Sequence, residues 1–178
     1  MRNYMMMAAL LLAASMAFTA CGGSDDDDDN GGGSSSSNYF TVGDTKYDLS
    51  TADFHVDATY SYKNKVALYF WGGTLNEDWS NGTGPTFEIV VALPSSATEP
   101  VAGVYPLSPT KEVNTMISAE YHENYVGNSS NGNSIDLSSG TVTIDKSGSA
   151  YTVVFTGVDT NNKTVKLTYK GSITRIKS

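Results

Sequence analysis

At 178 residues, with 17 Gly, 11 Tyr and 17% charged residues, the chain has the composition of strands joined by turns. A formal net charge of -8 excludes a basic nucleic-acid footprint, and a single cysteine excludes an intramolecular disulfide framework. No phosphate-binding glycine loop, dinucleotide fingerprint or Gly-x-Ser-x-Gly elbow is present.

The chain opens with Arg2 and an apolar run from Met5 through Met16 to Ala20, broken by Ser15 and Thr19. At roughly 16 apolar-dominated residues the run falls short of the ~20 that a spanning helix needs, and it ends in small residues. Residues 1–20 therefore read as a secretory signal peptide. Residues 21–37 follow as a tether: Cys21, five aspartates from Asp25 to Asp29, then Asn30, Gly31 to Gly33 and Ser34 to Ser37. Such a segment repels itself and has no apolar surface to bury, which predicts an extended spacer.

Phe18-Thr19-Ala20-Cys21 resembles the lipobox of bacterial lipoproteins, with Phe18 at a position where Leu is usual. The resemblance implies a lipidated Cys21 that becomes the mature N-terminus. One acyl chain holds a membrane only marginally, at ~0.8 kcal/mol per buried methylene, so a stable anchor implies two or more chains. Cys21-Gly22-Gly23-Ser24 followed by the aspartates resembles the acidic export signal of surface lipoproteins of the Bacteroides group. That likeness implies an outer-membrane, lipid-anchored protein facing the cell exterior, and it carries no activity.

Residues 38–178 read as one β domain, long enough to own a core, with ten Lys and Arg against fourteen Asp and Glu. Asn38 to Val42 and Thr45 to Leu49 flank Gly43-Asp44, a two-residue hairpin signal. From Ala52 to Tyr62 apolar and polar residues alternate strictly, which predicts one buried and one wet face. Lys65 to Trp71 has no polar face, so it reads as a central strand or one with a second apolar surface. After a polar loop around Trp79, Thr86 to Leu93 places Phe87, Ile89, Val91 and Leu93 on one face.

All five prolines lie between Pro85 and Pro109, predicting sheet edges and crossings there. Thr115 to Tyr125 reads as a weaker strand, and Leu107 to Glu112 as at most a single helical turn. The closing strands are Gly140 to Asp145, Ala150 to Val158 and Lys163 to Ile176, with turns at Lys146-Ser147-Gly148 and Asp159 to Asn162. Gly171 is expected to let the last strand bend. Pro100 to Leu107 and this closing meander are similar to small lipoproteins of the same bacterial group, many of which lack an assigned function. Roughly nine strands fit an all-β, single antiparallel domain: a lipocalin-like barrel, with a two-sheet β-sandwich as the alternative.

Three function classes remain open. Asp53, His55 and Asp57 share a strand face with spacing that could chelate a metal, although any wet strand face looks the same. Glu120-x-His122 repeats the idea, and with His55 and His122 as the only histidines a three-His zinc site is excluded. The folded part has no cysteine nucleophile, and no motif marks a serine for a triad or a carboxylate pair for glycoside cleavage. Aromatic residues are the better lead: Tyr69, Trp71, Trp79, Tyr121 and Tyr125 could stack on a sugar or line a cavity mouth. Tyr69 and Trp71 would equally serve as core of a second layer, and Trp79 as a loop anchor. The leading expectation is a non-enzymatic, cofactor-free surface lipoprotein whose domain binds a glycan or small apolar ligand or assists an outer-membrane partner. A small hydrolase or metal-dependent enzyme and a purely structural envelope protein are the alternatives.

Overall fold

The computed structural model describes residues 37–60, 63–76, 80–127 and 134–176. Cys21, the aspartate tract and Trp79 lie outside the described residues. Every regular element among the described residues is a strand: β1 (Tyr39–Val42), β2 (Thr45–Asp48), β3 (Thr51–Tyr60), β4 (Lys63–Trp71), β5 (Thr83–Pro94), β6 (Gly103–Pro106), β7 (Thr115–Val126), β8 (Ile135–Ser147), β9 (Ala150–Asp159), β10 (Thr164–Ser172) and β11 (Thr174–Arg175). The expected hairpin at Gly43-Asp44 is present, with Gly43 at φ 58°, a conformation that favours glycine.

The strands form one sheet in the order β11-β3-β4-β5-β7-β8-β9-β10-β1-β2, with β6 paired to β8 off this path. Pairing is antiparallel throughout except at β11, which runs parallel to β3. The sheet curls over on itself, because rings from distant strands meet inside it. Phe40 of β1 lies 5.4 Å from Phe87 of β5, Phe87 lies 5.5 Å from Phe155 of β9, and Phe70 of β4 lies 5.2 Å from Tyr169 of β10. The domain is therefore all-β and barrel-like. The short passage Leu49-Ser50 carries the chain from β2 at one end of the sheet to β3 near the other, and the Ser50 N–H donates to the Trp71 carbonyl at 2.8 Å.

The alternation legible in the sequence matches the burial. Val66, Leu68 and Phe70, then Phe87, Ile89, Val91 and Leu93, and Val153 and Phe155 are all fully buried, with Val165 and Leu167 facing them. Each large apolar side chain so buried contributes about 1.5–3 kcal/mol, and together these fill the interior.

The last strand differs from the sequence reading, while the proline-rich section and the 107–112 turn follow it. The last strand, expected to run unbroken to Ile176, ends at Ser172; Ile173 turns its side chain into the core and β11 crosses to the far end of the sheet. The Ile176 N–H then donates to the Phe54 carbonyl at 2.9 Å. The proline-rich section contributes β6, which pairs with Thr141 to Ile144, and the stretch 107–112 forms a turn with the Lys111 N–H 3.3 Å from the Ser108 carbonyl.

One carboxylate lies inside the barrel. Asp159 has no exposed surface, and it accepts hydrogen bonds from the Tyr121 hydroxyl, the Asn161 N–H and the Lys163 N–H, each at 2.8 Å. Burial alone would raise its pKa, but these donors outweigh burial and hold the carboxyl below the usual range.

Candidate functional site

The outward face of β3, β4, β5 and β7 carries an unusual line of side chains. Register places Asp53 opposite Tyr69, Tyr69 opposite Glu88, Glu88 opposite Glu120, and Glu120 opposite Asp136 of β8. A second line beside it runs Thr51, Trp71, Thr86 and His122. Beyond a bulge in β7, Tyr125 pairs with Gly84 and its ring meets the His122 ring edge-on at 5.4 Å. Directly opposed like charges destabilise a sheet, so Glu88 and Glu120 side by side are a cost to folding wherever both are ionised. Such costs concentrate at functional sites.

Burial accentuates the pair. Burial first, and then the charge of Glu120, push the Glu88 carboxyl up to about 7. Burial also raises Tyr69, with the charges of Glu88 and Glu120 acting in the same direction. Burial lowers His122 against the opposing pull of Glu120, and its buried Nδ1 has no hydrogen-bond partner. The face thus combines half-buried rings with carboxyl groups, one of which exchanges its proton near neutrality.

The sign of the Glu88 effect is fixed by its raised pKa. The folded state holds the proton more tightly than the unfolded chain, so the contribution of Glu88 is most favourable below 4.5 and declines as pH rises through about 7. Glu88→Gln is expected to flatten that decline in urea unfolding followed across this window. An unchanged slope would remove Glu88 as its source.

The expected aromatic group divides. Tyr69 and Tyr125 are half-buried on the outward face, and Trp71 lies on the same face but is 3% exposed. Tyr121 points the other way, wholly inside the core, 5.6 Å from Phe40 and bonded to Asp159, so it is not available to a ligand. Trp79 is outside the described residues. Asp53, His55 and Asp57 do share the outer face of β3, yet their cross-strand neighbours are Tyr69, Ala67 and Lys65 in turn. Among the described residues no group of three or more His, Cys, Asp or Glu side chains is placed to hold a metal ion, and this trio is not such a group.

Sequence reasoning passed over Glu88, although one signal was available. It is the only carboxylate within Thr86 to Leu93, at an outward position of an otherwise apolar strand. Its meeting with Glu120 depends on pairing β5 with β7 across the intervening β6, which no local pattern encodes.

Next to this face β7 and β8 part company. They pair only at Glu120–Asp136 and Tyr121–Ile135, and further along the Leu107 N–H donates to the Gly140 carbonyl at 2.9 Å and the Ser108 N–H to the Met116 carbonyl at 3.1 Å. The fork between encloses a groove of about 500 Å³. No protein-family model, curated protein or solved structure matches the chain.

Proposed function

We propose that this is a surface-anchored lipoprotein whose β domain binds a glycan, without catalysis, on the outward face of β3, β4, β5 and β7. The observation that carries the reading is the register that sets the Tyr69 ring beside Glu88 and Glu120, with His122 and Tyr125 close by. Flat rings stack on the apolar faces of sugars while carboxylates accept hydrogen bonds from their hydroxyls. The packed interior favours a ligand held outside the barrel over a small apolar one within it.

Saturable quenching or enhancement of tryptophan fluorescence by neutral oligosaccharides is expected, with affinity at least tenfold weaker in Tyr69→Ala. Equal affinity in Tyr69→Ala would overturn the site, and no response from any sugar would overturn the ligand class. The anchor rests on the lipobox-like residues before Cys21 and on the acidic tract behind it. Cys21→Ser is expected to release the protein from the membrane fraction, and continued retention there would remove the lipid.

A specific observation favours a second reading. A carboxyl raised to about 7 beside another carboxylate is the arrangement that general acid catalysis of glycoside cleavage requires. Release of reducing sugar that disappears in Glu88→Gln would establish it; turnover surviving in that variant would exclude it.

A further inference from the structure

We infer that the ligand is a linear, neutral oligosaccharide of at least about three units, lying across the strands with one end in the fork between β7 and β8. The inference rests on the proposed glycan site and extends it. From Tyr69 on β4 to Asp136 on β8 the outward row crosses three strand intervals of about 4.8 Å, roughly 14 Å in all. A pyranose ring in an extended chain advances by about the width of one strand, so each interval matches about one sugar.

The row does not stop at a flat edge. Asp136, its last member, and Ser118, which sits beside Glu120 on the outward face, also line the fork groove. At about 500 Å³ the groove falls within the size range of small-molecule sites. Its walls mix Leu107 and Ile117 with Ser118, Ser138 and Asp136, and Lys111 stands at its rim. The backbone of Lys111 is held there because its carbonyl accepts a hydrogen bond from the Lys63 ammonium at 2.6 Å, and the side chain is exposed. Apolar patches alternating with hydroxyl and carboxylate groups suit a sugar, which offers apolar ring faces and polar edges. The carboxylates Glu120 and Asp136, opposite one another in the row, repel uronic acids and sulfated sugars, and Glu88 adds to this where it is ionised, which sets the charge class.

The test uses the purified full chain in detergent and calorimetric titration with β-1,4-linked glucose, mannose and xylose oligomers of one to six units, plus oligogalacturonates as the anionic control. For the series that binds, affinity is expected to rise at least tenfold between the disaccharide and the tetrasaccharide and then level off. Ser118→Trp, which fills the groove from an exposed position, is expected to abolish that gain, leaving the tetrasaccharide no tighter than the disaccharide. Lys111→Ala is expected to reduce the gain about threefold, and thermal melting reports whether either variant has lost its fold. Equal affinity for short and long oligomers, or a gain that survives Ser118→Trp in a folded variant, overturns the extension and leaves the Tyr69 site standing. Preference for oligogalacturonates overturns the neutral class. Absence of binding to every oligomer overturns both the extension and the site beneath it.

Discussion

Asp159→Ala is expected to destabilise the domain by about 3 kcal/mol in urea unfolding near neutral pH. The carboxylate is completely buried and satisfies three donors, so its removal leaves the Tyr121 hydroxyl and the Asn161 and Lys163 N–H groups without their acceptor. Hydrogen bonds to a charged group contribute about 1.5–3 kcal/mol each, and a buried donor left unpaired costs about 1–3 kcal/mol, offset where the loop relaxes toward water. Asp159→Asn keeps the shape and one acceptor oxygen, so its loss is smaller, and Tyr121→Phe removes a single bond. Because the folded pKa of Asp159 lies below the unfolded value, its contribution is complete above about 3.8 and fades as pH falls through the folded value. The difference between wild type and Asp159→Asn is therefore expected to shrink on acidification. A loss under about 1 kcal/mol for Asp159→Ala would mean that the 159–163 turn holds itself together without its carboxylate.

Phe87→Ala is expected to cost about 4 kcal/mol, at the upper end for a single truncation. Its ring is fully buried and touches three strands at once, with Phe40, Phe155 and Tyr121 at 5.4, 5.5 and 6.3 Å. The cavity left behind is bounded by other rings held on three different strands, which collapse poorly into it. Val154→Ala makes the contrast: that side chain is 40% exposed on the outer face, and its loss is expected to stay within about 0.5 kcal/mol. Comparable losses from the two would show that the interior is held by sheet pairing rather than by ring packing.

Legibility followed the period of the pattern. Strict alternation identified the inward residues of β5 and, in β3, Ala52 and Phe54, because a two-residue period has one meaning when one face is buried; further along β3 it did not hold, since Ala58 is exposed. Lys65 to Trp71 was legible as a strand with two covered faces, as the burial of both Phe70 and Trp71 bears out. The break at Ile173 was not, since β10 and β11 keep the same alternation across it and only the meeting with β3 reveals the crossing. Tyr121 misled for a related reason. The bulge in β7 between His122 and Tyr125 shifts the alternation, so these aromatic residues cannot be assigned to a common face by counting alone. The Glu88–Glu120 pair depends on register between strands that are not consecutive in the chain, which is a property of the assembled sheet.

Two of the strand pairings join residues far apart in the chain. β1, the first strand, is paired with β10, and β3 receives β11 from the last few residues described. Neither pairing exists until residues 164–175 have been synthesised, and contacts so distant in sequence form slowly. Until then β1 has only β2 beside it and β3 has only β4. A chain cut before Thr164 would therefore leave two strands each with an open edge, which is where unwanted pairing with another chain begins.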